Sequence, residues 1–410
     1  MNRAGARNGY SFTSEPLVIR RLEKGRDLMS KRKMVSLTLV LSIILVTTMG
    51  ATSGGKNRYA DQAQWSQEKL YEYYWNDASK MMNNAYPSTP EGEQALNYWW
   101  KAHAVDALVD GYERTGDKAY TERAEELVRS IIARNGSLHN EFYDDMEWLA
   151  LAGLRLYDAT GSEEMKGYVL ELWDDIKTAW WEDDLGGMAW KKDQRYNRNA
   201  CSSGPAAILA ARLYERFGDP RDLEWAQKIY DWEKQYLVNP QTGLVADGLV
   251  LKEDGTLDVN EAWIFTYNQG TFIGAGVELY QITGKKTYLK DAEKTAAGSL
   301  KALTDEKTGI FKEDGDGDGA LFKGILIRYM VELYETGHNK SLKKAIYRNA
   351  DALLKGSRDN GLFGQAWGKP AQNPLDLTAQ LSGVFLLEGA AKLEAGKADK
   401  PIKPDKSVKK

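Results

Sequence analysis

Tyr112-Glu-Arg-Thr-Gly116 closes an apolar stretch and opens an amphipathic one, and variants of the phrase recur five times: Tyr157-Asp-Ala-Thr-Gly161, Tyr214-Glu-Arg-Phe-Gly218, Tyr280-Gln-Ile-Thr-Gly284, Tyr334-Glu-Thr-Gly337 and Leu393-Glu-Ala-Gly396. Each glycine stands where a helix ends through a left-handed residue, a conformation that glycine adopts without a Cβ clash. The glycines are spaced by 45, 57, 66, 53 and 59 residues, a loose period that signals a repeated supersecondary unit. The stretches ahead of them, 149–157, 205–214, 271–280, 324–334 and 377–387, are apolar nearly all round and therefore read as buried helices. Segments behind them, such as 118–133, 286–300 and 341–354, carry charge along one face and read as an outer layer. The spacing predicts six helical hairpins in an inner and an outer ring, an all-α (α/α)6 toroid over residues 54–396.

The turns at the glycines are tight, whereas the segments that lead into the inner helices are long: 83–93, 135–143, 182–198, 239–261, 303–320 and 356–374. Inner helices of such a ring run parallel, so the long loops and six helix N-termini share one face. Long loops in compact domains usually carry function, and free N–H groups at helix starts suit anionic or hydroxyl-rich ligands. That face collects Trp99 and Trp100, Tyr143 and Trp148, Trp190 and Asn199, Asp247 with Tyr267-Asn268-Gln269, Lys323, and Trp367. Flat rings beside amides and acids are the materials of a carbohydrate cleft. The composition agrees, with 13 Trp and 22 Tyr against 9 Phe, an excess of aromatics that keep a polar handle.

Asp144 and Asp145, in Glu141-Phe-Tyr-Asp-Asp-Met-Glu-Trp148, are the candidate catalytic pair. Acids in a first helical turn ordinarily cap it, and capping is compatible with chemistry. Glycosidic cleavage needs one carboxylic acid to protonate the leaving oxygen and one carboxylate as nucleophile or base. Adjacent helical residues point about 100° apart, so the two side chains can flank one sugar. Burial and mutual repulsion should raise one pKa and split their roles.

Other sites are weaker. Asp314-Gly-Asp316-Gly-Asp318-Gly resembles the first half of a calcium loop, but Ile325 occupies the twelfth position where the usual bidentate Glu stands. A flexible acidic loop without metal is the expectation, and no cofactor is called for. His103, His139 and His338 have no metal-ligand spacing. Trp180-Trp181 and Asp183-Asp184 read as structural, and Cys201 as a small buried residue near the cleft. With a single cysteine there is no intrachain disulfide.

Residues 1–53 form a separate amino-terminal extension. Lys31-Arg-Lys33 precedes an uncharged, apolar run and then small residues, the layout of a secretory signal. An uncleaved membrane anchor is the alternative, and Met29 makes a tidier start than Met1. These residues carry nine Lys and Arg against three Asp and Glu, so of the net charge of −4 the remainder holds about −10. An acidic body excludes a nucleic-acid partner. Residues 397–410 alternate Lys with Pro and Asp and read as a disordered tail. The expectation is an exported bacterial enzyme acting as a monomer.

Asp144-Asp145-Met-Glu-Trp148, Gly186-Gly-Met-Ala-Trp190, Thr266-Tyr-Asn-Gln-Gly270 and Phe322-Lys-Gly-Ile-Leu-Ile-Arg328, in this order, resemble glycoside hydrolase family 76, the endo-α-1,6-mannanases. The resemblance spans about residues 59–396. It implies an α-mannan substrate and a retaining mechanism with Asp144 as nucleophile and Asp145 as acid/base. The chain departs from the family's common pattern at Arg198-Asn199 and Ser203-Gly204-Pro205. Fungal relatives of the family are thought to transfer rather than hydrolyse, so a transglycosylase remains the alternative, as does a non-catalytic glycan-binding protein on the same scaffold.

Overall fold

A computed structural model describes residues 57–183, 185–357 and 360–396. The amino-terminal extension, Asp184 and the lysine-rich tail lie outside the described residues.

Six inner helices, Tyr98–Thr115, Tyr143–Thr160, Ala200–Phe217, Thr266–Thr283, Gly319–Gly337 and Leu377–Ala395, form the predicted ring. Each packs on the next, and the last packs on the first. The outer helices are Arg58–Tyr74, Lys118–Asn135, Glu163–Ile176, Pro220–Tyr236, Lys286–Ala302 and Lys340–Gly356. Five hairpins are continuous in sequence. The sixth is not: Arg58–Tyr74 pairs with Leu377–Ala395, so the two ends of the domain close the ring together. The Tyr59 N–H donates to Glu394 at 2.8 Å across that seam.

Gly116, Gly161, Gly218, Gly284 and Gly396 adopt positive φ as expected, but Gly337 does not; His338 takes the left-handed position at φ 54°. The reason is a one-residue offset. In the other tyrosine phrases the closing N–H, four residues after the tyrosine, belongs to glycine, whereas the N–H that reaches the Tyr334 carbonyl belongs to His338.

The inner helices are parallel and unusually close at their starts. Gly204 faces Thr271, and Gly274, one turn on, faces Ile208, so positions on the third and fourth helices advance together. A Cβ on Gly270 would lie 2.8 Å from the Leu326 Cα, and one on Gly324 would lie 2.7 Å from the Ser382 Cα. Only glycine lets these backbones approach so closely, and the approach gathers the helix starts around a narrow cleft floor.

The far half of the ring is plugged by charge. Arg328 spans the axis to Asp110 at 2.6 Å and Asp106 at 3.0 Å, and Arg155 holds the same two acids from the second inner helix. Arg212 joins Glu278 at 2.6 Å and Glu332 at 2.9 Å. Above this plug His103 packs against Trp148 and Phe385. Among the described residues these ion pairs fill most of the far half of the lumen, so the loop face is where a ligand has access.

A three-stranded antiparallel sheet, Asn197–Asn199, Gly248–Leu251 and Leu257–Val259, ties the third loop to the fourth. Asn199 pairs with Gly248 in its register, which sets Asn199 beside Asp247.

Candidate active site

Four of the inner helices start five or six residues ahead of the apolar runs quoted for them, and the last starts with its run at Leu377. The first turns of the inner helices carry the polar residues of the site, and the fourth residue of three of these helices holds down the loop that precedes it. Gln269 accepts the Val245 N–H at 2.8 Å and donates to the carbonyls of Val245 and Phe265 at 2.8 and 3.0 Å. Gln380 accepts the Phe363 N–H at 3.0 Å, and Lys101 donates to Asn84. Lys323, one position later in its helix, donates to the Gln365 carbonyl at 2.6 Å with its ammonium over the Trp367 ring. Gln269 and Lys323 thus serve as loop clamps rather than exposed sugar contacts, and burial lowers the Lys323 pKa to about 8.

Asp144 is the second residue of its helix, Cys201 of the next, and Tyr267 of the one after. Because these helices are parallel and level, the three side chains meet. Cys201 hydrogen-bonds Asp144, Tyr267 hydrogen-bonds both Cys201 and Asp247, and Asn268 donates to Asp247 at 3.0 Å. Asp144 also accepts the Asp145 N–H at 3.0 Å and the Trp190 indole N–H at 3.3 Å. It therefore caps its own helix and belongs to the site at once. Asp145 accepts one side-chain bond, from Asn140 at 3.0 Å.

These settings separate the two acids. Burial pushes the Asp144 pKa up to about 7, opposed by its donors Cys201, the Asp145 N–H and Trp190. Burial also raises Asp145 well above the carboxylate range, and the negative charges of Asp144, Asp318 and Glu141 push it further. Donors stabilise a carboxylate and neighbouring anions oppose one. A pair that holds one proton near neutral pH keeps it on Asp145 and leaves Asp144 ionised.

Trp190, half-buried, packs on Phe142 and covers Asp144. Trp99 lies against His103 and Phe322, and Tyr267 stacks on Phe322 at 3.9 Å. Trp100 donates to Asp318 at 2.6 Å. The carboxamide oxygens of Asn199 and Asn268 are buried without a protein partner, as is the Trp367 indole nitrogen. Tyr143 turns away from the cleft, its hydroxyl 3.0 Å from Thr178, and Trp148 lies beneath it with His103. The Asp314 carboxylate is occupied by the Thr266 N–H at 3.1 Å and the Thr266 hydroxyl at 2.5 Å, so it caps the fourth inner helix. Among the described residues no group of three or more His, Cys, Asp or Glu is arranged to hold a metal ion. Asp183 anchors its loop by accepting from Arg198 and from the N–H groups of Leu185 and Gly186.

Several roles in the site were not evident from sequence: Cys201 as an Asp144 partner, Asn140 as the Asp145 donor, Asp318 as the acceptor of the Trp100 indole, and Glu147 as a buried neighbour of Asp144. Glu147 is fully buried with neither carboxylate oxygen partnered, and burial followed by the Asp144 charge raises its pKa strongly. The one usable signal was register, since Asp144, Cys201 and Tyr267 occupy the same place in consecutive helices.

The structure is similar to an α-1,6-mannanase of Salegentibacter sp. HEL1_6, with 42% identity over 82% of this chain and 99% of that one and a TM-score of 0.77. Inactive variants of that enzyme, altered at two consecutive aspartates, were solved with α-1,6-mannotetraose and α-1,6-mannotriose. A Listeria innocua protein is 39% identical over 83% of this chain and 99% of its own, with a TM-score of 0.78. A putative mannan endo-1,6-α-mannosidase of Schizosaccharomyces pombe is 27% identical over 57% of this chain, and the match spans 58% of the yeast protein. Residues 58–400 match the sequence profile of glycosyl hydrolase family 76. Fold, motif order and profile agree over the whole toroid, and the chain belongs to glycosyl hydrolase family 76.

Proposed function

We propose that this protein is an endo-acting α-1,6-mannanase that cleaves mannan backbones with retention of configuration. The observation that carries the proposal is the unequal setting of two adjacent half-buried acids, Asp144 with three hydrogen-bond donors and Asp145 with one side-chain donor beside like charges. The mannanase of Salegentibacter and the curated mannan endo-1,6-α-mannosidases support the substrate. In this reading Asp144 attacks the anomeric carbon while Asp145 gives its proton to the departing glycosidic oxygen, leaving a mannosyl ester on Asp144. Asp145, now ionised, takes a proton from water as that water attacks the same carbon, which frees Asp144 and restores both groups. Asp247, Asn199 and Asn268 offer acceptors to sugar hydroxyls, and Trp190 and Trp99 offer apolar faces. The proposal includes action outside the cell, as a monomer, without a metal or cofactor.

The test is incubation with unbranched α-1,6-mannan. Shortened oligosaccharides are expected, whereas elongated products would indicate transfer to sugar. Asp144→Asn and Asp145→Asn should each lose at least about a hundredfold in rate, the scale of a general-acid contribution. Asp145→Asn should recover on an aryl mannoside whose leaving group needs no proton, and Asp144→Asn should not. Full activity of either variant on mannan would sink the assignment.

A further inference from the structure

Trp263 is the most exposed large apolar side chain among the described residues, at 55%. A single exposed ring means little by itself. This one is fixed in place and continuous with others. Its carbonyl accepts the Asp247 N–H at 2.9 Å and its N–H reaches the Asn260 carbonyl at 3.2 Å, so its backbone is pinned to the residue beside Tyr267 and Asn268. Its ring centroid is 6.0 Å from that of Phe265, which is 5.5 Å from Phe322, which is 6.1 Å from Trp99. Tyr267, the hydrogen-bond partner of Cys201 and Asp247, lies under this row, stacked on Phe322. Exposure falls along the row from the open Trp263 through half-buried Phe265 to nearly buried Phe322. The rings therefore make a graded strip from solvent at the rim to the wall of the cleft that holds Asp144.

We propose that Trp263 is an outer sugar-binding subsite, the entry of an aromatic strip through Phe265 and Phe322 that holds mannosyl units of the chain remote from the scissile bond. The inference rests on the mannanase reading above. Pyranose rings present C–H faces that pack on aromatic faces, and such packing does not depend on the protonation of the acids. Trp263 thus contributes binding energy for long substrates and nothing to bond cleavage itself, which is uniform binding in the kinetic sense.

The experiment compares wild type, Trp263→Ala and Trp263→Phe on α-1,6-linked manno-oligosaccharides from three to six units and on polymeric mannan. For Trp263→Ala, KM on the longest substrates should rise about three- to tenfold, the scale of one aromatic contact, with kcat unchanged and with little effect on the trimer. Trp263→Phe should fall between the two. Binding of the hexamer to the Asp145→Asn protein, followed by tryptophan fluorescence, should weaken by the same factor when Trp263→Ala is added. An equal loss on short and long substrates, a loss confined to kcat, or no change would overturn the subsite while leaving the mannanase reading intact. Absence of cleavage of any α-1,6-mannan by the wild type would overturn the mannanase reading and the strip with it.

Discussion

Replacing Cys201 should move the acidic limb of the pH profile of kcat/KM upward without touching the plateau. The thiol is one of three donors that hold the Asp144 charge in a half-buried setting, the others being the Asp145 N–H and the Trp190 indole. Facing Asp144 are Asp145 and Glu147 on its own helix, Cys201 on the third inner helix, and Tyr267 with Asp247 behind the thiol. A hydrogen bond to a charged group contributes about 1.5–3 kcal/mol, and a thiol is a weak donor, so the low end applies. At about 1.36 kcal/mol per unit that is roughly one pKa unit. The limb starts near pH 7, where burial places Asp144. In Cys201→Val, which leaves no room for a substitute water, it should lie about one unit higher. At pH 6 kcat/KM should then drop about tenfold, and on the plateau it should be near wild type; Cys201→Ser, which keeps a donor, should behave like the parent. kcat/KM is the right quantity because it reports the ionisation of the free enzyme. A pH-independent loss in Cys201→Val with an unmoved limb would refute the idea that the thiol sets the ionisation of Asp144.

Two further outcomes concern stability. Glu147→Gln should raise the melting temperature at pH 8 and do little near pH 4: the folded pKa of Glu147 lies above the unfolded value, so the native state binds the extra proton and loses stability as pH rises toward the folded pKa. The gain is the cost of keeping Glu147 protonated, about 1.4 kcal/mol for each pH unit above the unfolded carboxylate value until the folded pKa is reached, and a variant that melts with the wild-type pH dependence would contradict it. Arg328→Met should destabilise by about 3–5 kcal/mol in denaturant titration, because it leaves Asp106 and Asp110 buried with Arg155 alone; a smaller change would mean the axial plug is not a major support.

The ring was legible because its evidence is local and repeated: helix-ending phrases, all-round apolar runs and charged partners each follow from one helical turn of sequence. Two parts were not. The seam between Arg58–Tyr74 and Leu377–Ala395 joins residues more than three hundred positions apart, and no local signal records it. The other is the direction of the polar side chains in the first turns of the inner helices: the loop ends at 143, 198, 261, 320 and 374 lie within five residues of the observed starts, but the sequence does not record which side chains turn back into the loops. Gln269 and Lys323 therefore read as candidate ligand contacts. An amide or ammonium at the fourth or fifth helical position can reach back to the preceding loop, and only the fold shows that Val245 and Gln365 lie within reach. Tyr143 and Trp148 were misjudged for a related reason. A helix start shows the cleft only the residues on one side of its axis, and Asp144 and Asp145 occupy that side, so Tyr143 is turned to the outer layer and Trp148 to the floor.

The buried acids show what the site demands of the fold. Glu147 lies one turn below Asp144, and Glu233 on the fourth outer helix lies close to Glu147. Both are fully buried, and none of their four carboxylate oxygens has a protein partner. A core optimised for stability would place amides or apolar groups there. Burial pushes both carboxyls well above the ordinary carboxylate range, so that in the proposed mechanism Asp144 would ionise among a few oriented donors and not beside competing charge. Were Glu147 ionised, its charge would raise Asp144 further and erase the difference between the two aspartates. Under the proposed mechanism, neutrality of Glu147 and Glu233 favours the division of roles between Asp144 and Asp145.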